Sequence, residues 1–125
     1  ARIGKVEKAY QLFLHATRLD LDDYNNEADQ GLHITSMPGS WLAIVRGFAG
    51  MQVLKETLCF SPVIPQKWDS YSFKVNYLKN TLHIRVGKEI EISLTAGSKV
   101  DIQVYGHPYT LERGTELKIN MPMCQ

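Results

Sequence analysis

One stretch concentrates side chains that could hold a reacting group: Gly31-Leu32-His33-Ile34-Thr35-Ser36-Met37-Pro38-Gly39-Ser40-Trp41. It leads into a segment with helical signals, and a helix start presents unpaired backbone N–H groups and a partial positive charge. Thr35, Ser36 and Ser40 add hydroxyls there, and His33 becomes a cation when protonated. Gly39 lets backbone approach a ligand closely. Together these groups suit a small oxyanion such as phosphate. The plainer alternative is that Ser36 caps the helix and His33 is an ordinary loop residue. On residue types alone, capping serines are the commoner case.

Other chemistry-bearing residues read more simply. Residues 20–29 hold five acids, but Tyr24 and Asn25 stand where a calcium loop needs an oxygen ligand and a glycine. A carboxylate pair for glycoside chemistry is conceivable there, and solvated loop charge is the commoner explanation. His15 and His83 fall on polar faces and His107 precedes Pro108, none with a partner at metal-ligand spacing. Trp68, Tyr71, Phe73 and Tyr77 could stack a sugar ring, although alternating aromatics are more often sheet core. The two cysteines, Cys59 and Cys124, show no metal or disulfide spacing and read as reduced thiols of a cytoplasmic protein.

The elements that position these residues change character midway. Ile3, Val6, Tyr10, Phe13, Leu14 and Thr17 recur at helical spacing, which predicts an amphipathic helix over 3–19 followed by a polar loop over 20–30. A second helix is expected over 37–51, with Ser36 as N-cap and Pro38 in its first turn. From Trp41 to Met51 only Arg46 is polar, so this helix needs burial all round. From Thr57 onward the period becomes 2, with strands around 71–77, 82–86, 90–94, 100–104 and 117–121. A two-residue loop at Lys79-Asn80 would set Tyr77 opposite Leu82. A three-residue loop over 87–89 would set Val86 opposite Ile90 and keep the apolar faces together. Further turn signals at Gly97-Ser98, Gly106-His107-Pro108 and Arg113-Gly114 complete an antiparallel sandwich pattern. A small sandwich covers one side of a helix. The second helix is therefore expected to belong to a larger helical assembly or to pack in an oligomer.

Composition bounds the partners. The 125 residues are 44% apolar and 22% charged, with net charge +1, which fits an ordinary globular chain and not a disordered one. The near-neutral balance argues against nucleic acid or an anionic membrane as partner. No apolar run approaches the ~20 residues that span a bilayer. The chain begins without Met or signal peptide, close to a helical pattern, which suggests a piece of something longer.

The run Ala16-Thr17-Arg18-Leu19-Asp20-Leu21-Asp22-Asp23-Tyr24-Asn25-Asn26, with Gly31-Leu32-His33-Ile34-Thr35-Ser36, Gly39-Ser40-Trp41 and Gly47-Phe48-Ala49-Gly50-Met51, resembles the C-terminal part of glycoside hydrolase family 65. These are the inverting disaccharide phosphorylases of maltose, trehalose, kojibiose and nigerose, and the wording at 20–26 is most similar to the maltose-acting members. Phe60-Ser61-Pro62 with Pro65 and Trp68, then Phe73-Lys74-Val75, resembles the start of that family's C-terminal β-sandwich. The resemblance covers nearly the whole chain and is most specific over 16–51.

It implies an α+β chain: two terminal helices of an (α/α)6 barrel followed by a small antiparallel β-sandwich. Residues 1–53 would be the incomplete end of the catalytic barrel and 54–125 the C-terminal domain. The implied reaction is phosphorolysis, in which phosphate attacks the anomeric carbon with inversion while a carboxylic acid protonates the leaving oxygen. His33 and Ser36 would bind phosphate, with Thr35 and Gly39 nearby, although Met37-Pro38-Gly39 departs from the small residues expected after Ser36. The general acid would be a Glu upstream of this chain, so no catalytic residue is assigned within it. No cofactor or metal is implied, and inorganic phosphate and a disaccharide are the small-molecule partners. A homo-oligomer or the missing barrel would cover the second helix. Two alternatives stand beside this reading: a non-catalytic carbohydrate-binding or structural β-sandwich module, and a hydrolase of the same family using water. A self-contained module must hide Trp41, Ile44, Val45 and Phe48 within its own fold, whereas a fragment must leave some of them open.

Overall fold

In a computed structural model of the chain, residues 4–18 and 36–122 are described. Helix α1 spans Val6–Thr17. Its buried side is led by Tyr10, with Phe13 and Leu14 half-buried, while Lys8, Gln11 and His15 face outward. The helix closes where Arg18 N–H and the Thr17 hydroxyl both donate to the Leu14 carbonyl, at 3.0 and 3.1 Å.

The second helical segment departs from a single α-helix over 37–51. Helix α2 covers Ser36–Leu42, and the chain continues without a break as a π-helical segment, Ala43–Phe48. The wider turn changes which residues share a stripe. In a regular α-helix Trp41, Val45 and Phe48 would line one face. Here Val45 and Phe48 are 0% and 2% exposed, while Trp41 and Leu42 are 46% and 44% exposed. Burial is therefore confined to the Val45 and Phe48 side, and the expectation of burial on all sides is not met within the described residues.

Eight strands follow: β1 Gln52–Leu54, β2 Thr57–Phe60, β3 Tyr71–Tyr77, β4 Asn80–Val86, β5 Glu89–Ala96, β6 Lys99–Val104, β7 His107–Glu112 and β8 Glu116–Asn120. They form two four-stranded sheets, ordered β1-β2-β6-β7 and β3-β4-β5-β8. Neighbours are antiparallel except β2 and β6, which run parallel. That pair corrects the purely antiparallel expectation. The chain leaves β2 to build β3–β5 of the other sheet and re-enters beside β2 in the same direction. Leu58, Phe60, Ile102 and Val104 of one sheet face Phe73, Leu82, Ile84, Val86, Ile90 and Ile92 of the other, all in one buried cluster. Alternating apolar residues thus fill the space between two sheets, each with a polar outer face.

Register matches the sequence reading at one turn and corrects it at another. Val86 pairs with Ile90 and Ile84 with Ile92, as the loop over 87–89 requires. At the preceding turn Tyr77 pairs with Asn80 and Val75 with Leu82, so the loop is Leu78-Lys79 instead of Lys79-Asn80. The register is moved by two residues, which leaves each side chain on its expected face. Asn80 is buried at the start of β4, and its side-chain amide donates to the Leu78 carbonyl at 3.0 Å. Leu78 and Lys79 both carry positive φ, as a two-residue hairpin turn demands.

Candidate functional site

The oxyanion collar is described only in part. His33 and Thr35 lie outside the described residues, as do the side chain of Ser36 and the acidic stretch 20–29. Ser36 is the first described residue of α2, and the residues before it lie outside the described ones. Gly39 is exposed, with open space where a Cβ would stand. Ser40 is half-buried. The described part of the collar is thus open to approach at Gly39.

The other end of this helical segment is built tightly. A helix leaves its last carbonyls without intrahelical partners. Here Ala49 N–H reaches Ile44 O at 2.8 Å, and Met51 N–H reaches Val45 O at 3.0 Å. The segment after β2 supplies the rest: Val63 N–H donates to Phe48 O at 2.8 Å and Ser61 N–H to Ala49 O at 3.1 Å. Gly50 sits at φ +62, and a Cβ there would lie 2.8 Å from the Ser61 carbonyl oxygen. Glycine is required at this position on both counts, left-handed backbone and close approach. Gly47, by contrast, faces open space.

Aromatic rings close the same junction. Trp68 packs on Phe48 at 5.1 Å between centroids, edge-on to Phe13 at 5.5 Å, Tyr10 at 5.7 Å and Tyr71 at 5.6 Å. Such offset and edge-to-face pairs are the favoured ring geometries. Trp68, Tyr71 and Phe73 therefore serve packing and not an exposed sugar platform. The Glu7 carboxylate of α1 accepts Gln66 N–H at 3.0 Å, tying the first helix to the same linker. The Tyr71 hydroxyl donates to Val63 O at 2.9 Å, and the Tyr105 hydroxyl donates to Pro62 O. Burial, and to a lesser degree the neighbouring Tyr105, pushes the Tyr71 phenol far above its ordinary range, so it stays a neutral donor. Gly47, Gly50, Gln52, Ser61, Val63 and Tyr105 line a cleft of about 350 Å³ beside this seam.

The remaining candidates are dispersed. His15 and His107 are exposed, His83 is half-buried on the outer face of β4, and Cys59 is a buried free thiol. His107 stands at the start of β7 instead of in a turn. Cys124 lies outside the described residues. Among the described residues no group of His, Cys, Asp and Glu is placed to hold a metal ion, and no helix is long and apolar enough to cross a membrane.

The described chain is thus a helical arm joined to a β-sandwich, with Trp41 and Leu42 of the arm open. Residues 1–42 match the central catalytic domain of glycosyl hydrolase family 65, and residues 51–111 match the C-terminal domain of that family. The chain is 47% identical over 113 residues to the maltose phosphorylase of Bacillus subtilis (strain 168), across 90% of this chain and 15% of that protein. It is 38% identical to the alpha,alpha-trehalose phosphorylase of Geobacillus stearothermophilus, across 95% of this chain and 16% of the other. A solved human-microbiome protein, assigned as a kojibiose phosphorylase, superposes with TM-score 0.89 and 35% identity, across 98% of this chain and 18% of that one. The chain belongs to glycosyl hydrolase family 65 and spans about 15% of the length of the curated relatives it matches.

Proposed function

We propose that this chain is the closing part of an inverting, maltose-like disaccharide phosphorylase. The helices complete the helical catalytic body, and the strands from Gln52 onward form a sandwich that buttresses it. In this reading His33, Thr35, Ser36 and Gly39 hold inorganic phosphate. A phosphate oxygen then bonds to the anomeric carbon of the sugar. The glycosidic C–O bond breaks, and an acid upstream of this chain protonates the departing oxygen. Phosphate needs no base to become a nucleophile at neutral pH, so the chain's task is to hold the anion in line. The observation that carries this reading is the 47% identity to a maltose phosphorylase across 90% of the chain. The open Trp41 and Leu42 favour a fragment over a self-contained binding module, which would cover them. We assign their cover to the missing barrel, or to a second copy when that is absent.

The test is made in the intact enzyme. His33→Ala removes one charge-assisted contact to the anion, and the phosphate KM rises about tenfold or more while the disaccharide KM stays within about twofold. Equal loss for both substrates would remove His33 from the phosphate site. The isolated 125-residue chain releases no glucose 1-phosphate from maltose and phosphate.

A further inference from the structure

We infer that the seam between the helix exit and residues 61–63 is a positioning device for the far end of the helical segment, with Gly50 as its positioning residue. This rests on the phosphate reading above.

The seam is asymmetric. Its sandwich side is clamped twice, by the Tyr105 hydroxyl on Pro62 O and the Tyr71 hydroxyl on Val63 O at 2.9 Å. Tyr105 N–H also donates to Phe60 O at 2.9 Å, fastening the same stretch to the sheet. The helix side is a π-helical exit, held by Val63 and Ser61 N–H, by Val45 and Ala49 in the sandwich core, and by Phe48 against Trp68 and Phe13. Beyond this exit the rod leaves Trp41 and Leu42 open, so a push at Gly50 is passed along it to the Ser36 end.

The forcing variant is Gly50→Ala. Its Cβ would start 2.8 Å from Ser61 O, and ordinary contact begins at 3.4 Å, against backbone that has no rotamer to give. From Ser36 to Phe48 the helical rod is about 20 Å long at 1.5 Å per residue. A tilt of about 3° at the exit then moves its start by about 1 Å, a misplacement that can cost up to about a hundredfold when it disturbs a reacting group. The sandwich thus does more than stabilise the chain: it sets where the Ser36 end of the rod lies.

The experiment compares variants of the intact enzyme. Gly50→Ala raises the phosphate KM about tenfold, with the disaccharide KM within about twofold. Gly114→Ala is the control: it carries the same kind of left-handed backbone, φ +83, with nothing within 4 Å of the added Cβ. It lowers the melting temperature through strain alone and leaves both KM values as they were. Where Gly50→Ala does not fold, Tyr71→Phe loosens one clamp without adding volume and raises the phosphate KM about threefold. A loss shared equally by both substrates, or a phosphate KM unchanged by Gly50→Ala and Tyr71→Phe, overturns the inference. His33→Ala separates the two ideas. If it raises the phosphate KM while the seam variants do not, the phosphate reading stands and the positioning role falls. If it spares the phosphate KM, the phosphate reading fails first and the positioning role falls with it.

Discussion

The sandwich and the helical arm solve the same burial problem to different degrees. Phe60, Ile84, Ile92 and Ile102 are at most 1% exposed, each covered by strands of the same 70-residue stretch. The arm hides Val45 and Phe48 equally well but leaves Trp41 and Leu42 nearly half open. The boundary between the two behaviours falls inside one helical segment, at the point where contact with Trp68 and the 61–63 linker ends. Apolar periodicity states which face must be covered. It does not state who covers it, and here the answer changes within two turns of helix.

The largest expected effect breaks the closed side. Phe60 is enclosed between the sheets, and its ring lies 6.4 Å from that of Phe73. Phe60→Ala removes a full aromatic side chain from a site with no solvent access, and about 3–5 kcal/mol of stability goes with it. Urea unfolding of the 125-residue chain measures this directly. A loss below about 1 kcal/mol would mean that the sandwich is not self-sufficient.

The sandwich was the more legible half, for a physical reason. Period-2 alternation placed β3 to β6 and β8 because each has one wet face. β1 and β2 are too short to show a period, and Pro108 in the edge strand β7 reads as a turn. The Leu78-Lys79 loop was missed because neither residue favours positive φ, whereas Asn80 does and is instead a buried strand residue. The parallel β2–β6 pair depends on a return crossing that no local pattern encodes. In the arm, a π-helical turn carries no sequence mark, so the departure of Trp41 from the Val45 stripe was invisible. The close approach of Gly50 to the Ser61 carbonyl was not legible, because that contact is tertiary. For the collar, residue types at a helix start suggest an oxyanion site and the family wording favours it, while His33 and Thr35 lie outside the described residues.

A smaller effect sharpens the junction between the halves. The unfolded Tyr71 phenol loses its proton near pH 10, the ordinary value, while the folded one keeps it to higher pH. Above pH 10 the unfolded state therefore binds fewer protons, and stability falls as pH rises; below that it is fully retained. From pH 9 to pH 11 the chain loses about 1.4 kcal/mol through this group. Tyr71→Phe flattens that part of the profile. A wild-type stability unchanged between these pH values would mean that Tyr71 ionises freely and does not seal the junction.

The smallest effect in this chain is the most discriminating. Trp41 keeps nearly half its surface in water, so Trp41→Ala loses little burial, and urea unfolding of the 125-residue chain moves by less than about 1 kcal/mol. In the intact enzyme, where the proposed barrel would cover the same ring, the substitution costs about 3 kcal/mol or more. The two numbers are informative only as a pair. A large loss in the short chain would mean that its own fold closes over Trp41 and that the arm is complete. Small losses in both would leave the ring uncovered even in the longer protein. A small loss followed by a large one locates the covering partner on the face of α2 that carries Trp41.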